Sequence, residues 1–414
     1  MSPANPETSA ALTLLSAKAV RERAHRMLAI GLEGKLPNFR IDLDRMDYAV
    51  DLVLETTRKA YPSFDVPFHS RWRHFVTNGD DRWALVADQT RWPNRAARAR
   101  AEFDLAIVSV FLDAGAGPSW RYHDPKTGSA IGHSEGLGLA SLAMFAGGAF
   151  SAAPLEPLRV DAAVLANFAV ADFERGMQIS DVNPLVGMDG RADLLRRLGR
   201  LVTSKPEIFG SLDTPRPGGL FDRLAMLADG RKLPAPTILA ELLRQLGPIW
   251  PSRLTLGGIA LGDCWRHPAL TTADATSGLV PLHKLSQWLA YSLIEPLQTF
   301  GISVTDIDGL TGLAEYRNGG LFVDTGALAF RDAEAAQQEH EVASPLVVEW
   351  RALTVALLDR VADGLRHRLG LDATSMPLAK ILEGGTWAAG RRLARERRAN
   401  ASPPVKVVSD GTVF

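Results

Sequence analysis

The chain has 414 residues, with 46 Lys and Arg against 47 Asp and Glu, a net charge of −1. That balance leaves no basic excess to neutralise a phosphate backbone, which argues against nucleic acid as the main partner. A hydrophobic fraction of 46% with 22% charged residues excludes a disordered or fibrous chain. Cys264 is the only cysteine, so neither an internal disulfide nor a thiolate zinc cluster can form, and the expected compartment is the cytoplasm.

In chain order, residues 1–26 scatter Asn, Glu, Lys and Arg and hold no compact apolar stretch of a signal peptide. Helical periodicity predicts helices near 8–30, from Met46 onward (Met46, Val50, Val53, Leu54, with Asp42 or Asp44 as cap), and near 98–112, 134–148, 158–175, 190–203, 236–247, 282–299 and 376–398. The stretch Gly136–Leu155 is 20 residues without a charge, about the length that spans a bilayer. Its four Gly, two Ser and Pro154, and the lack of basic flanks, predict a packed internal helix followed by a loop, so no membrane partner is expected. The clearest helix lies between Pro345 and Leu369, where Leu346, Trp350, Leu353, Leu357, Val361, Leu365 and Leu369 form one stripe. Ser344 and Pro345 open it and Gly370 stops it. Strands are expected only at Leu321–Asp324 and Val405–Val408. The segments Phe209–Pro217 and Asp229–Pro236 read as surface connections, and the basic run from Arg391 to Arg398 as a solvated helix end. The chain is therefore expected to be mainly α with minor β, a single large helical domain over 1–414 or one of two lobes around a cleft, with no internal boundary marked.

Four segments carry more polar chemistry than a core demands. Val66–Phe75 gathers His69, Arg71, Trp72 and Arg73, a set that can hold a phosphate or carboxylate, or stack guanidinium groups on an indole. Asp113–Tyr122 offers Gly115-x-Gly117, but the third glycine of a dinucleotide loop is missing and Pro118 removes a donor. Asp263 and Trp265 precede His283, Lys284, Gln287 and Tyr291, the last three at i, i+3 and i+7 of a predicted helix, where they line a pocket floor or satisfy buried groups. Densest is Glu315-Tyr316-Arg317-Asn318, followed by Asp324: two carboxylates suited to acid and charge-stabilising roles at a glycosidic C–N bond, or to ordinary ion pairs. The His residues are dispersed without metal-ligand spacing and no Gly-x-Ser-x-Gly elbow occurs, so neither a metal site nor a nucleophilic triad is expected.

These residues carry a resemblance. Val66-Pro67-x-His69-Ser70-Arg71-Trp72-Arg73-His74-Phe75, Leu112–Pro118, Leu279–Trp288, Glu315–Leu321, Leu382–Trp387 and Ser409–Phe414 resemble the uracil-catabolism family of fungi and bacteria, whose fungal members bear the Urc or Urg name. The resemblance implies a place in a pathway that opens the pyrimidine ring through ribosylated intermediates, a ribosylurea among them, and releases urea. More locally, His283-Lys284-x-x-Gln287 and Ala314-Glu315-Tyr316-Arg317 are similar to segments of the queuosine-salvage nucleosidases, helical proteins shaped like DNA glycosylases. Glu315 departs from that pattern, which has Asp.

The expected activity is an N-ribosyl hydrolase acting on a ribosylated urea or uracil-derived substrate, with Glu315 and Asp324 as first catalytic carboxylates and Asp263 in reserve. Lys284, Gln287 or Tyr316 would assist the leaving group and Arg71, Arg73 and Arg317 would hold a phosphate. His69, Trp72, Trp265, His283, Tyr291 and Asn318 complete the expected binding set, and no cofactor is required. A non-catalytic carrier of an unstable intermediate and a metal-assisted amide hydrolase are the alternatives. The apolar tail ending in Phe414 is expected to dock on the body.

Overall fold

The computed structural model describes residues 5–113, 115–210, 214–250 and 254–408. The tail ending in Phe414 lies outside them. Helix makes up 57% of the structure and every described strand is only two or three residues long, paired in seven two-stranded ribbons. The fold is mainly α. The described residues cluster into two compact units, one formed by 5–69, 254–287 and 306–408, the other by 70–250 and 288–305.

The first unit is built on helix Pro345–Leu369. Ser344 caps it by accepting from Val347 N, Pro345 fills the first turn, and Gly370 ends it at φ 64°. The expected stripe from Leu346 to Leu365 is buried, and so are Val347, Val348, Ala352, Val355 and Ala356 on other faces. Helices Ala17–Leu32, Met46–Ala60 and Tyr316–Thr325 pack around it. Asp359 fixes the first of these by accepting from Arg21 at 3.0 Å and bonding His25 at 2.7 Å. The predicted 8–30 helix is two helices, Pro6–Leu14 and Ala17–Leu32, because Ser16 turns extended and caps the second.

Leu321–Asp324 is not a strand but the second half of helix Tyr316–Thr325, which Glu315 caps and Gly326 ends at φ 84°. Its glycines serve close packing: a Cβ at Gly319 would lie 2.5 Å from the Trp350 indole. Helix Trp387–Arg397 runs parallel to it, since Gly390 abuts the Arg317 carbonyl and Arg398 pairs with Asp324 one helix length further on. The basic run is thus an anchored end: Arg398 holds Asp324, and Arg392 pairs with Glu55 and Glu396. Strand Lys406–Val408 forms as expected and pairs in parallel with Glu339–Glu341.

The second unit centres on helix Arg95–Phe111, whose last eleven residues are all buried. Beside it, the charge-free stretch contributes to helix His133–Ala146 and then leaves it as a loop. Fourteen residues at 1.5 Å each reach only about 21 Å, short of a bilayer core. The glycines give close approach, a Cβ at Gly136 falling 2.2 Å from the Ile131 carbonyl oxygen. Among the described residues no helix is long and apolar enough to cross a membrane. The segment at Phe209–Pro217 is not a mere surface connection: Arg216 is bound to buried Asp104, and Pro217–Gly219 is a buried turn.

Gly390→Ala separates local propensity from packing. Alanine favours a helix by about 1 kcal/mol, yet its Cβ would stand 2.1 Å from the Arg317 carbonyl oxygen, and backbone cannot swing aside. The expected outcome is a net loss of about 1–3 kcal/mol in denaturant unfolding; a stabilised variant would contradict the helix contact.

Candidate functional site

The antiparallel ribbon of Cys264–Arg266 with Leu279–Pro281 carries Asp263 to the start of helix Lys284–Phe300. The Asp263 carbonyl accepts from Leu282 N and His283 N, and its carboxylate accepts from Lys284 N at 2.9 Å. From the long helix, Arg351 grips the same carboxylate with Nη1 and Nη2 at 2.8 Å each, and Trp265 Nε1 donates at 2.6 Å. Burial alone would push this carboxyl up, but Arg351, Trp265 and the Lys284 amide together hold it well below the usual carboxylate range. Arg351 Nε also donates to the Ala314 carbonyl at 3.2 Å, which fixes the residue before Glu315.

Glu315 is extended (φ −117°, ψ 165°), and its carboxylate accepts from Arg317 N at 2.7 Å and Asn318 N at 2.5 Å. It is 7% exposed. Burial raises its pKa above the ordinary carboxyl value, outweighing those amides and the positive charges of Lys284 and Arg317. In the same first turn, the Arg317 Nε and Asn318 Oδ1 atoms are buried without a hydrogen-bond partner among the described residues. The Arg317 guanidinium lies over the Tyr316 ring at 4.9 Å. Gln287 is buried and bonded to Thr311 through both ends of its amide, so it pins the loop leading to Glu315. His283 is buried at φ 47°, its Nε2 bonded to the Leu14 carbonyl, and burial lowers its pKa. That holds it as a neutral wedge.

Asp324 does not pair with Glu315. Nine helical positions at 1.5 Å put the two about 13 Å apart, beyond the roughly 5–9.5 Å that two cooperating glycosidase carboxylates span. Both its oxygens are held by Arg398, at 2.8 and 2.6 Å, so its task is to anchor helix Trp387–Arg397.

A feature the sequence reading missed lies at the Glu315 end. Before Trp387 the chain forms a π turn, Leu382–Thr386, made possible by Gly384 and Gly385, whose Cβ positions would meet Thr57 and the Val53 carbonyl. Because the two helices run parallel, this turn extends beyond the Glu315 end of helix Tyr316–Thr325, which it touches. It presents Thr386, whose buried Oγ1 has no partner among the described residues, and Glu383, which bonds His69 Nδ1 at 2.8 Å and Tyr61 at 3.4 Å. The adjacent Gly384-Gly385 was the available signal, since paired glycines inside a helical pattern mark a distortion or a close approach.

In the second unit, Arg71 is fully buried, pairs with Asp113 at 2.7 Å and donates to Ser109 and the Ser134 carbonyl. Its charge is met by Asp113, while its buried Nη2 has no hydrogen-bond partner among the described residues. Arg73 pairs with Glu295, and Trp72 donates to the Ser292 carbonyl. Tyr291 is buried in this unit. Burial pushes the Cys264 thiol up, so it stays protonated. The described residues hold no group of three or more His, Cys, Asp or Glu placed to bind a metal ion.

Fold and site describe a helical protein with a buried acid at a helix start. A family model described as a protein of unknown function, DUF1688, matches residues 13–414. The chain belongs to this family. It is 36% identical over 417 residues to Protein urg3 of Schizosaccharomyces pombe, covering 98% of this chain and 100% of the relative. It is 34% identical over 419 residues to Uracil catabolism protein 4 of Lachancea kluyveri, covering 92% and 93%. The motif resemblance is thus one of whole chains.

Arg351→Leu would strand the Asp263 charge. The expected cost is about 3–5 kcal/mol in denaturant unfolding, and Asp263→Asn with Arg351→Leu should recover part of it. Glu315 has the opposite sign of pH linkage. Its raised pKa means the folded state holds the extra proton, so stability from this group falls as pH rises from about 4.5 through the folded pKa. Glu315→Gln should flatten that decline in melting temperature; an identical pH slope in the variant would refute the buried-acid assignment.

Proposed function

We propose that this chain acts in uracil breakdown as an N-ribosyl hydrolase, cleaving a ribosylated urea, free or 5-phosphorylated, to urea and the sugar. The printed names of the two relatives support the pathway. One observation carries the reaction: Glu315 is a buried carboxyl with a raised pKa, beside polar atoms of Arg317 and Asn318 that lack partners among the described residues.

A carboxyl whose pKa burial raises is better matched to donating a proton to the departing urea nitrogen. The C1–N bond breaks with its electron pair going to that nitrogen, and the sugar passes through an oxocarbenium-like state. Water attacks C1 and must give up a proton. His69 suits that step: Nδ1 bonded to Glu383 fixes the tautomer whose Nε2 accepts. Arg317 and Asn318 offer a donor and an acceptor to sugar or phosphate oxygens. Asp263, neutralised by Arg351, positions Lys284 and the Glu315 segment rather than touching substrate.

The test is urea release from ribosylurea and its 5-phosphate by purified protein. Turnover is expected with one of them, with Glu315→Gln lowering kcat by about 10²–10⁴ and leaving the protein folded. Substrate binding by calorimetry without any urea release would favour a carrier of the intermediate instead. Neither binding nor release would end this reading.

A further inference from the structure

Arg317, in the first turn of helix Tyr316–Thr325, is treated differently from the arginines around it. Arg351 grips Asp263 with both Nη atoms, and Arg398 grips Asp324 in the same way. Arg317 forms no ion pair among the described residues, yet its guanidinium is fixed. Nη1 donates to the Ala401 carbonyl at 2.8 Å, and the group lies over the Tyr316 ring at 4.9 Å. Ala401 stands in the left-handed region at φ 52° with its N–H on the Arg398 carbonyl, so the turn that holds Nη1 is itself anchored by the Arg398–Asp324 pair.

Those contacts use one corner of a group with five N–H donors. They leave the edge formed by Nε and Nη2. Nε is buried without a hydrogen-bond partner, and Nη2 makes no hydrogen bond among the described residues. This edge takes two oxygens of one anion, and Arg21 uses it in the same unit to grip Asp359 at 3.0 and 3.3 Å. A neutral hydroxyl answers one of the two N–H groups, whereas a phosphate answers both and the charge as well. Glu315 is the carboxyl on which the Arg317 charge acts, but its oxygens are taken by the Arg317 and Asn318 amides and burial favours its protonated form. Lys284 adds a second positive charge at that carboxyl. Asn318 Oδ1 is an acceptor, so it suits a sugar hydroxyl and not the phosphate.

Resting on the reaction proposed above, we infer that the Nε–Nη2 edge of Arg317 binds the 5-phosphate of the substrate, which makes the phosphorylated ribosylurea, not the free one, the form this site takes.

Two measurements on the full chain test it: urea release from ribosylurea and from its 5-phosphate, and calorimetric binding of ribose 5-phosphate, ribose and inorganic phosphate. The phosphorylated substrate is expected to have a kcat/KM about 10²-fold or more higher, and ribose 5-phosphate to bind about tenfold or more tighter than ribose or phosphate. Arg317→Gln should shrink the kinetic preference to about threefold or less and weaken ribose 5-phosphate binding about tenfold, with Arg317→Lys, which keeps the charge and loses the fork, in between. Both variants lose the Ala401 contact, and a preference ratio measured within one variant does not depend on the fraction folded. Equal turnover of the two substrates, a preference unchanged in Arg317→Gln, or inorganic phosphate bound as tightly as ribose 5-phosphate would each overturn the inference and leave the hydrolase reading in place. Ribose 5-phosphate bound through Arg317 with no urea released from either substrate would instead end the hydrolase reading and leave the phosphate site standing. Neither release nor binding would end both.

Discussion

The buried pair of Arg351 with Asp263 is the constraint on which the rest of the first unit's polar architecture depends. Its side chains are 1% and 15% exposed, so both charges are largely removed from water. Such a pair is tolerable only when the remaining hydrogen-bonding capacity is also used, and here it is. Asp263 takes the indole of Trp265 and the amide of Lys284 in addition to the guanidinium, and Arg351 turns Nε to the Ala314 carbonyl. One ion pair thereby ties a ribbon, the start of helix Lys284–Phe300, the long helix and the segment entering helix Tyr316–Thr325. Stability alone would be served as well by apolar residues of similar volume. What those would lack is direction: Arg351 fixes the backbone beside Glu315 to a hydrogen-bonding geometry.

Glu315 depends on that geometry. An N-cap carboxylate is ordinarily exposed, stabilised by the helix dipole and lowered in pKa. Here the same cap is buried, and desolvation outweighs the amides. A Ser or Asp would cap the helix at lower cost. Departure from the cheaper local choice, with unpartnered polar atoms two and three positions later, is the pattern expected where local rules yield to a ligand. His283 at φ 47° and the π turn at Leu382–Thr386 are two further irregularities in the same unit.

Much of the helical fold was legible because its signals are local. Ser344-Pro345 and Gly370 bracket a long stripe, and the structure begins and ends the helix at those residues. The charge-free stretch was readable because it lacks basic flanks and its Gly147-Gly148 and Pro154 favour an early end to the helix, which stops at Ala146. Leu321–Asp324 was misread as strand because three apolar residues followed by Asp324 have no distinguishing period, while the evidence for helix lay at its ends, in Glu315 and Gly326. The site was legible only as a density of polar residues. Glu315, Arg317 and Asn318 belong to one turn, but Asp324 was assigned to them by sequence proximity, and a helix converts nine residues into about 13 Å. Arg351 was invisible inside an apolar stripe, since its partner lies 88 residues away. Arg71 looked like a surface cation because nothing local announces Asp113 as its counterion.

The polar run from Glu315 to Asp324 therefore has two separate physical causes, one at each end of the same helix. At the far end, Asp324 and Arg398 satisfy each other with two bonds and lock helix Trp387–Arg397 in parallel. That lock sets the axial position of Gly390 against Arg317 and, one turn earlier, of Thr386 and the π turn beyond the near end. The far end is closed; the near end keeps buried atoms on Arg317, Asn318 and Thr386 without partners among the described residues. Leaving such a group unmet costs about 1–3 kcal/mol. The helix pair gives no reason for that cost to gather at one end, whereas a substrate with hydroxyl and amide groups would meet donor and acceptor alike. Asp324 thus contributes to the proposed chemistry by holding in register the turn that carries Glu383 and, through it, His69.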